Sequence, residues 1–212
     1  MPISMSSLLR ERDGGTENEH CRMAGCHGCC FVFTGGASMN DTFPREFDFA
    51  NFSPDKPQGF EGFLPLGTLM ESGCSQIPRE SGIYIVSRSR KSLPEFLPDS
   101  PVAAYKGKNP RVPVADLQKR WLQDVPVLYI GKAGGGRSRA TLYSRLKPYM
   151  RFGCGEPAPH WGGRYIWQIA DVRDCLLAWR PLPGQDSELY EKYLIACFIA
   201  RYGRFPFANL RR

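Results

Sequence analysis

Hydrophobic and polar residues fall into regular patterns only beyond about residue 60. Ser81-Gly-Ile-Tyr-Ile-Val86 sets β-branched and aromatic residues between a glycine and polar Ser87, which predicts a strand. Pro126-Val-Leu-Tyr-Ile-Gly131 predicts a second, ended by glycine. Between them, Val114 to Leu122 carries Val114, Leu117 and Trp121 at helical spacing. Thr141 to Lys147 reads as a helix start, and Pro148 is expected to kink or end that helix near Lys147. Arg164-Tyr-Ile-Trp-Gln-Ile169 and Leu176-Leu-Ala-Trp-Arg180 read as strands. Ser187 to Tyr202 reads as a last helix closed by Gly203, apolar nearly all round and therefore buried. Strand, strand, helix, strand, strand, helix predicts a small α+β domain with an antiparallel sheet.

Residues 1–58 show neither period and are rich in Gly, Ser, Asn and Asp, with phenylalanines scattered among them. They are expected to form a flexible N-terminal extension to a domain spanning 59–212. Met39, after Thr34-Gly-Gly-Ala-Ser38, is an alternative start that would leave 1–38 untranslated. Within this segment His20-Cys-Arg-Met-Ala-Gly-Cys-His-Gly-Cys-Cys30 has the residue types of a zinc site. Closed sites are usually built from two paired elements. Crowding Cys21, Cys26 and Cys29 into one short run argues against zinc and for a fortuitous cluster.

Composition adds what periodicity leaves open. The chain is 42% apolar and 12% aromatic, enough for a core. Its longest apolar run, Tyr193 to Ala200, is far below the ~20 residues that span a bilayer, and Met1 to Arg10 is too short and polar for an export leader. Cys175 and Cys197 sit in apolar segments as reduced core thiols do, and a cytoplasmic location without a disulfide framework is expected. Charge is unevenly spread. Residues 1–80 hold 6 Lys and Arg against 11 Asp and Glu, net −5, while 81–212 hold 22 against 10, net +12. A basic compact part points to an anionic polymer, nucleic acid first.

Candidate chemistry lies in three places. Gly82-Ile-Tyr84 and Tyr129-Ile-Gly131 put a tyrosine beside a glycine on each of two strands; period-two alternation sides Tyr84 with Val86 and Tyr129 with Val127. Taken singly, each tyrosine is as well explained by core packing. Lys132 and then Gly134-Gly-Gly-Arg137 follow the second strand; the lysine precedes the glycines, so this is no P-loop, and a flexible basic turn is the plain alternative. Glu191 neighbours apolar Leu194 and Ile195, where a carboxylate is costly unless it is paired or metal-bound, or else faces solvent near the helix start.

Taken in order, Gly82-Ile-Tyr84, Tyr129-Ile-Gly-Lys132, Leu142-Tyr-Ser-Arg-Leu146 with Tyr149, Glu191-Lys-Tyr-Leu-Ile195 and Pro206-Phe-Ala-Asn209 resemble the motifs of the GIY-YIG nuclease superfamily, over about residues 78–212. The resemblance implies metal-dependent hydrolysis of phosphodiester bonds in DNA. It implies catalytic roles for Tyr84, Tyr129, Lys132, Arg145, Glu191 and Asn209, with Glu191 holding Mg²⁺ or Mn²⁺. One tyrosine would take a proton from the attacking water, Arg145 would hold phosphate oxygens, Lys132 a phosphate or a tyrosine pKa, and Asn209 the chain end and a tyrosine hydroxyl. A non-cleaving nucleic-acid-binding module on the same fold is the alternative. This chain departs from the pattern in the long insertion at 87–125, which carries a net +4. Arg88, Arg90 and Lys91 there are expected to contact DNA backbone, as are Arg137, Arg139 and Lys147.

Overall fold

The computed structural model describes residues 46–90, 92–102, 104, 107–157 and 163–210. The cysteine cluster at 20–30, the alternative start at Met39, and Lys91 lie outside the described residues. In chain order the elements are β1 (Glu61–Pro65), α1 (Leu66–Glu71), β2 (Gly82–Ser87), α2 (Val114–Arg120), β3 (Val127–Ala133), α3 (Leu142–Gly153), β4 (Leu176–Pro181) and α4 (Ser187–Tyr202). The four strands form one antiparallel sheet in the order β1-β4-β2-β3, an α+β architecture. Among the described residues no helix is long and apolar enough to cross a membrane.

β2 pairs on both sides and buries all of its residues, as its unbroken apolar run requires. Its alternation divides the core. Tyr84 and Val86 join residues of α1, α2 and α3, including Leu69, Leu117, Leu146 and Tyr149, on one face. Ile83 and Ile85 meet Tyr190, Leu194 and Phe198 of α4 on the other. The second face is completed by Phe47, Phe49, Phe52 and Phe60, all buried and in ring contact with one another or with Phe198. Residues 46–58 are therefore part of the packed domain. Their phenylalanines follow no period because a 3-10 turn at Phe49–Asn51, capped by Asp48, presents them.

α3 corrects the sequence expectation at Pro148, since the helix runs on to Gly153. Proline inside a helix costs ~3 kcal/mol or more. Leu146, Tyr149, Met150 and Phe152 flank it and are all buried, each worth ~1.5–3 kcal/mol, so packing outweighs the break. The carbonyl that loses its partner belongs to Ser144, an exposed residue that water can reach. At the other end Thr141 and Ser144 close a capping box, with hydrogen bonds of 3.1 and 2.8 Å.

Arg164–Ile169 is not a strand. It forms a turn and a 3-10 helix at Ile166–Gln168, with a single bridge between Ile169 and Phe96. Ile166, Trp167, Gln168 and Ile169 are all buried, so the alternation that suggested a strand does not divide inside from outside. Gln168 donates to the carbonyls of Leu97 and Val112 and accepts from the Val112 amide at 2.7 Å. This side chain stitches the insertion to the domain, and Phe96, Val102, Val112 and Leu117 of the insertion are buried in the first core face. α4 buries Tyr190, Leu194, Ile195 and Phe198 but leaves Lys192 and Arg201 exposed, so it is a one-sided rather than an enclosed helix.

Candidate active site

The β2–β3 register places Tyr84 opposite Gly131 and Val86 opposite Tyr129. The ladder slips between Val86 and Ser87, so Ser87 faces Val127 and Leu128 is passed over. This bulge corrects the simple alternation: Val127 turns to the α4 face, whereas Tyr129 shares the face of Tyr84 and Val86. The two phenol rings stand 5.9 Å apart, centroid to centroid, and are tilted by 52°.

Gly131 is required by this arrangement. A Cβ there would stand 2.5 Å from Cζ and 2.6 Å from Oη of Tyr84, so the Tyr84 ring occupies the space a side chain would need. Tyr84 is wholly buried and its hydroxyl makes no well-formed hydrogen bond. Tyr129 and Arg145 nevertheless stand close enough to favour its ionised form. Burial acts the other way and wins, so the Tyr84 pKa is raised. Tyr129 is raised well above the usual range, first by burial and then by the neighbouring Tyr84 phenol, with Arg145 opposing and Glu191 adding to the rise. Both phenols are therefore protonated at neutral pH.

Four elements contribute to this cluster. β2 and β3 supply the tyrosines; α3 brings exposed Arg145 and α4 brings half-buried Glu191 within electrostatic reach of both. Tyr149 backs the cluster as a core residue, with its hydroxyl donating to the Gly163 carbonyl at 3.2 Å and its ring on Trp167.

Lys132 alternates to the α4 face and forms an ion pair of 2.8 Å with Glu188. Glu188 also holds Lys192 at 2.8 Å. The two lysines bring the Glu188 pKa down to about 2, the Lys132 hydrogen bond contributing most. Sequence reasoning missed Glu188, although its position four residues before Lys192 on one helix was a readable signal. The glycines after Lys132 form a fitted turn rather than a flexible one. A Cβ on Gly135 would stand 2.7 Å from the Glu188 amide nitrogen, and Ser187 Oγ donates to the Ala133 carbonyl at 2.9 Å.

Asn209 anchors the chain end as expected, but on backbone rather than on a tyrosine hydroxyl. Its Nδ2 donates to the Ile130 carbonyl at 2.8 Å and its Oδ1 accepts from the Ile130 amide at 3.0 Å, completing the edge of β3 beside Tyr129.

The candidate DNA contacts divide sharply. Arg88 is buried; it donates through Nε and Nη2 to Asp171, and through Nη1 to the carbonyls of Arg90 and Ser92. That makes Arg88 an internal strut and removes it from the DNA-contacting set, because the arginine following β2 points at the Asp171 turn. Arg90 pairs with Asp171 and Asp174, Arg111 with Asp99 and Lys119 with Asp116. Arg137, Arg139, Arg145 and Lys147 are exposed and have no carboxylate partner among the described residues. The uncompensated positive charge around the site thus lies on α3 and the loop before it.

The same residues offer a cation one placed carboxylate, Glu191, and no group of three His, Cys, Asp or Glu side chains occurs among the described residues. That donor set fits Mg²⁺, which is commonly held by one or two carboxylates with waters and substrate phosphates. No family model, no curated protein and no solved structure matches the chain.

Proposed function

We propose that this protein is a metal-dependent endonuclease of the GIY-YIG type that hydrolyses phosphodiester bonds in DNA. One observation carries the reading: Tyr84, Tyr129, Arg145 and Glu191, separated widely in sequence, converge so closely that the charged pair acts on both phenols. Arg145 extends a planar fork from an exposed position, suited to phosphate oxygens whose charge grows in the transition state. Tyr84 is enclosed against Gly131 with its hydroxyl buried, whereas Tyr129 is buried less completely, so we assign the attacking water to Tyr129. To accept a proton Tyr129 must first ionise, which burial opposes and Arg145 favours. A divalent ion held by Glu191 supplies, when bound, the further positive charge that lowers this cost. Lys132, fixed by Glu188, presents its charge beside the turn rather than sweeping solvent. Asn209 keeps β3 in register behind Tyr129.

The closed Tyr84 and the raised phenol pKa values favour a second reading, a nucleic-acid-binding module on this fold that does not cleave. Incubation of purified protein with supercoiled plasmid separates the two. Nicking with Mg²⁺ or Mn²⁺ that EDTA abolishes is the expected result; binding without nicking under every condition leaves the second reading.

A further inference from the structure

On the first turn of α3, Tyr143 is gripped by two cations that serve no other charged group. The Arg79 guanidinium lies over its ring with Cζ 4.2 Å from the centroid. Lys147, one helical turn on, donates from Nζ to the Tyr143 hydroxyl at 2.9 Å. Both cations are exposed, and among the described residues neither has a carboxylate in ion-pair range. By contrast Arg151, further along the same helix, is held by Glu156 just beyond the helix end.

The arrangement is fixed by backbone. The Tyr143 amide donates to the Pro78 carbonyl at 3.0 Å and the Leu142 amide to the Glu80 carbonyl at 2.7 Å, so the residues on both sides of Arg79 are tied to the start of α3. The Ser144 amide is used by Thr141. The first amides of the helix are therefore spent internally, and what remains for a ligand is the side-chain set. Because Lys147 donates to the phenol oxygen, the phenol's own proton is free to point outward to an acceptor. Two cations and one O–H donor then converge with no carboxylate beside them among the described residues, which is the complement of a phosphate.

We propose that Arg79, Tyr143 and Lys147 form a phosphate subsite for nucleic-acid backbone, distinct from the catalytic cluster. The proposal deepens the reading above and rests on its nucleic-acid partner. Arg145 lies two residues from both Tyr143 and Lys147, roughly 160–200° around the helix at about 100° per residue. The two sites flank α3, whose width with side chains is about 10–12 Å, so one phosphate cannot serve both. The subsite takes a backbone phosphate away from the scissile one and sets how a strand lies across the N-terminal turn of α3. The lowered Tyr143 pKa, caused first by the Lys147 hydrogen bond, agrees with a positively charged setting.

The test is binding of a short duplex oligonucleotide to the full chain in EDTA, followed by fluorescence anisotropy across a salt series. Arg79→Gln and Lys147→Gln should each reduce the log–log salt slope by about one unit. Tyr143→Phe keeps the ring and removes a neutral donor, so affinity should fall several-fold with the slope unchanged. Arg151→Gln, which removes a paired cation, should leave the slope at the wild-type value. All four positions are on the surface, and melting curves check that the variants fold. Wild-type slopes in Arg79→Gln and Lys147→Gln would overturn the proposal, as would absence of nucleic-acid binding. Competition by inorganic phosphate at micromolar concentration would reassign the site to a free anion and also overturn it. A changed slope without plasmid nicking keeps the subsite and removes the nuclease; nicking with unchanged slopes does the reverse.

Discussion

The ring of Tyr84 lies across Gly131, its directly opposed partner on the neighbouring strand, where a Cβ at 131 would meet it at 2.5 Å. The glycine and the tyrosine of two distant segments are thus one packing unit. The ring fills the place of the missing side chain and is sealed from solvent by doing so.

Gly131→Ala should therefore be destabilising although its backbone lies in an ordinary strand. The ring must move within a packed core, at a cost of ~1–3 kcal/mol. Chemical denaturation should show this as a lower midpoint with an unchanged slope. Adding Tyr84→Leu should recover part of the loss, because the smaller side chain leaves room for the methyl group. Full additivity of the two substitutions would mean that they do not share the contact.

Arg88→Ala should act on stability, not on nucleic-acid binding. The guanidinium is buried against Asp171 and two carbonyls, so its removal strips those carbonyls of their donor and leaves partly buried Asp171 with only the longer Arg90 contact at 3.6 Å. Loss of these charge-assisted hydrogen bonds at a partly buried site costs ~1–3 kcal/mol. The salt slope for DNA binding should stay at the wild-type value once folded protein is selected. A flattened slope with a normal melting temperature would make Arg88 a DNA contact after all.

Legibility followed physical scale. β2, β3, β4, α2 and α4 were readable because their apolar spacing and the closing Gly203 are local signals. β1 and α1 were not, since Glu61–Pro65 is short, has few apolar residues and gains its place only by pairing with β4. The fate of Pro148 depended on burial on both sides of it, which no local rule reports. In the site, the tyrosines and Glu191 were legible through motif order, and the structure brings them together. Arg88 and Glu188 were not legible in role, because each is defined by a partner elsewhere in the fold, Asp171 and Lys132.

Glu188→Gln should change the acid side of the stability profile. Glu188 has its pKa lowered to about 2 by Lys132 and Lys192, from an unfolded value near 4.5. A depressed carboxylate contributes stability that is complete above the unfolded value and is lost as pH falls through the folded one. The wild type should lose this contribution progressively between about pH 4.5 and about pH 2, and the variant should not. Identical acid profiles for both proteins would show that the pair carries no stability.

The proposed catalytic cluster makes the most specific demand. If Tyr129 is the base, its raised pKa means that only a small and pH-dependent fraction is ionised near neutrality. Cleavage should then rise with pH without a plateau until the phenol titrates, with a log-rate slope near one. Tyr129→Phe should abolish that rise, whereas Tyr84→Phe, which removes an enclosed hydroxyl, should preserve it and change stability by ~1 kcal/mol. Arg145→Ala should cost about 10²–10³ in rate, as loss of one aimed donor does, with the pH dependence intact. Glu191→Gln keeps the volume and removes the charge, so cleavage should vanish while oligonucleotide binding persists. Equal slopes in wild type and Tyr129→Phe would remove the phenol from the proton path. Retained cleavage in Glu191→Gln would remove the carboxylate from metal binding.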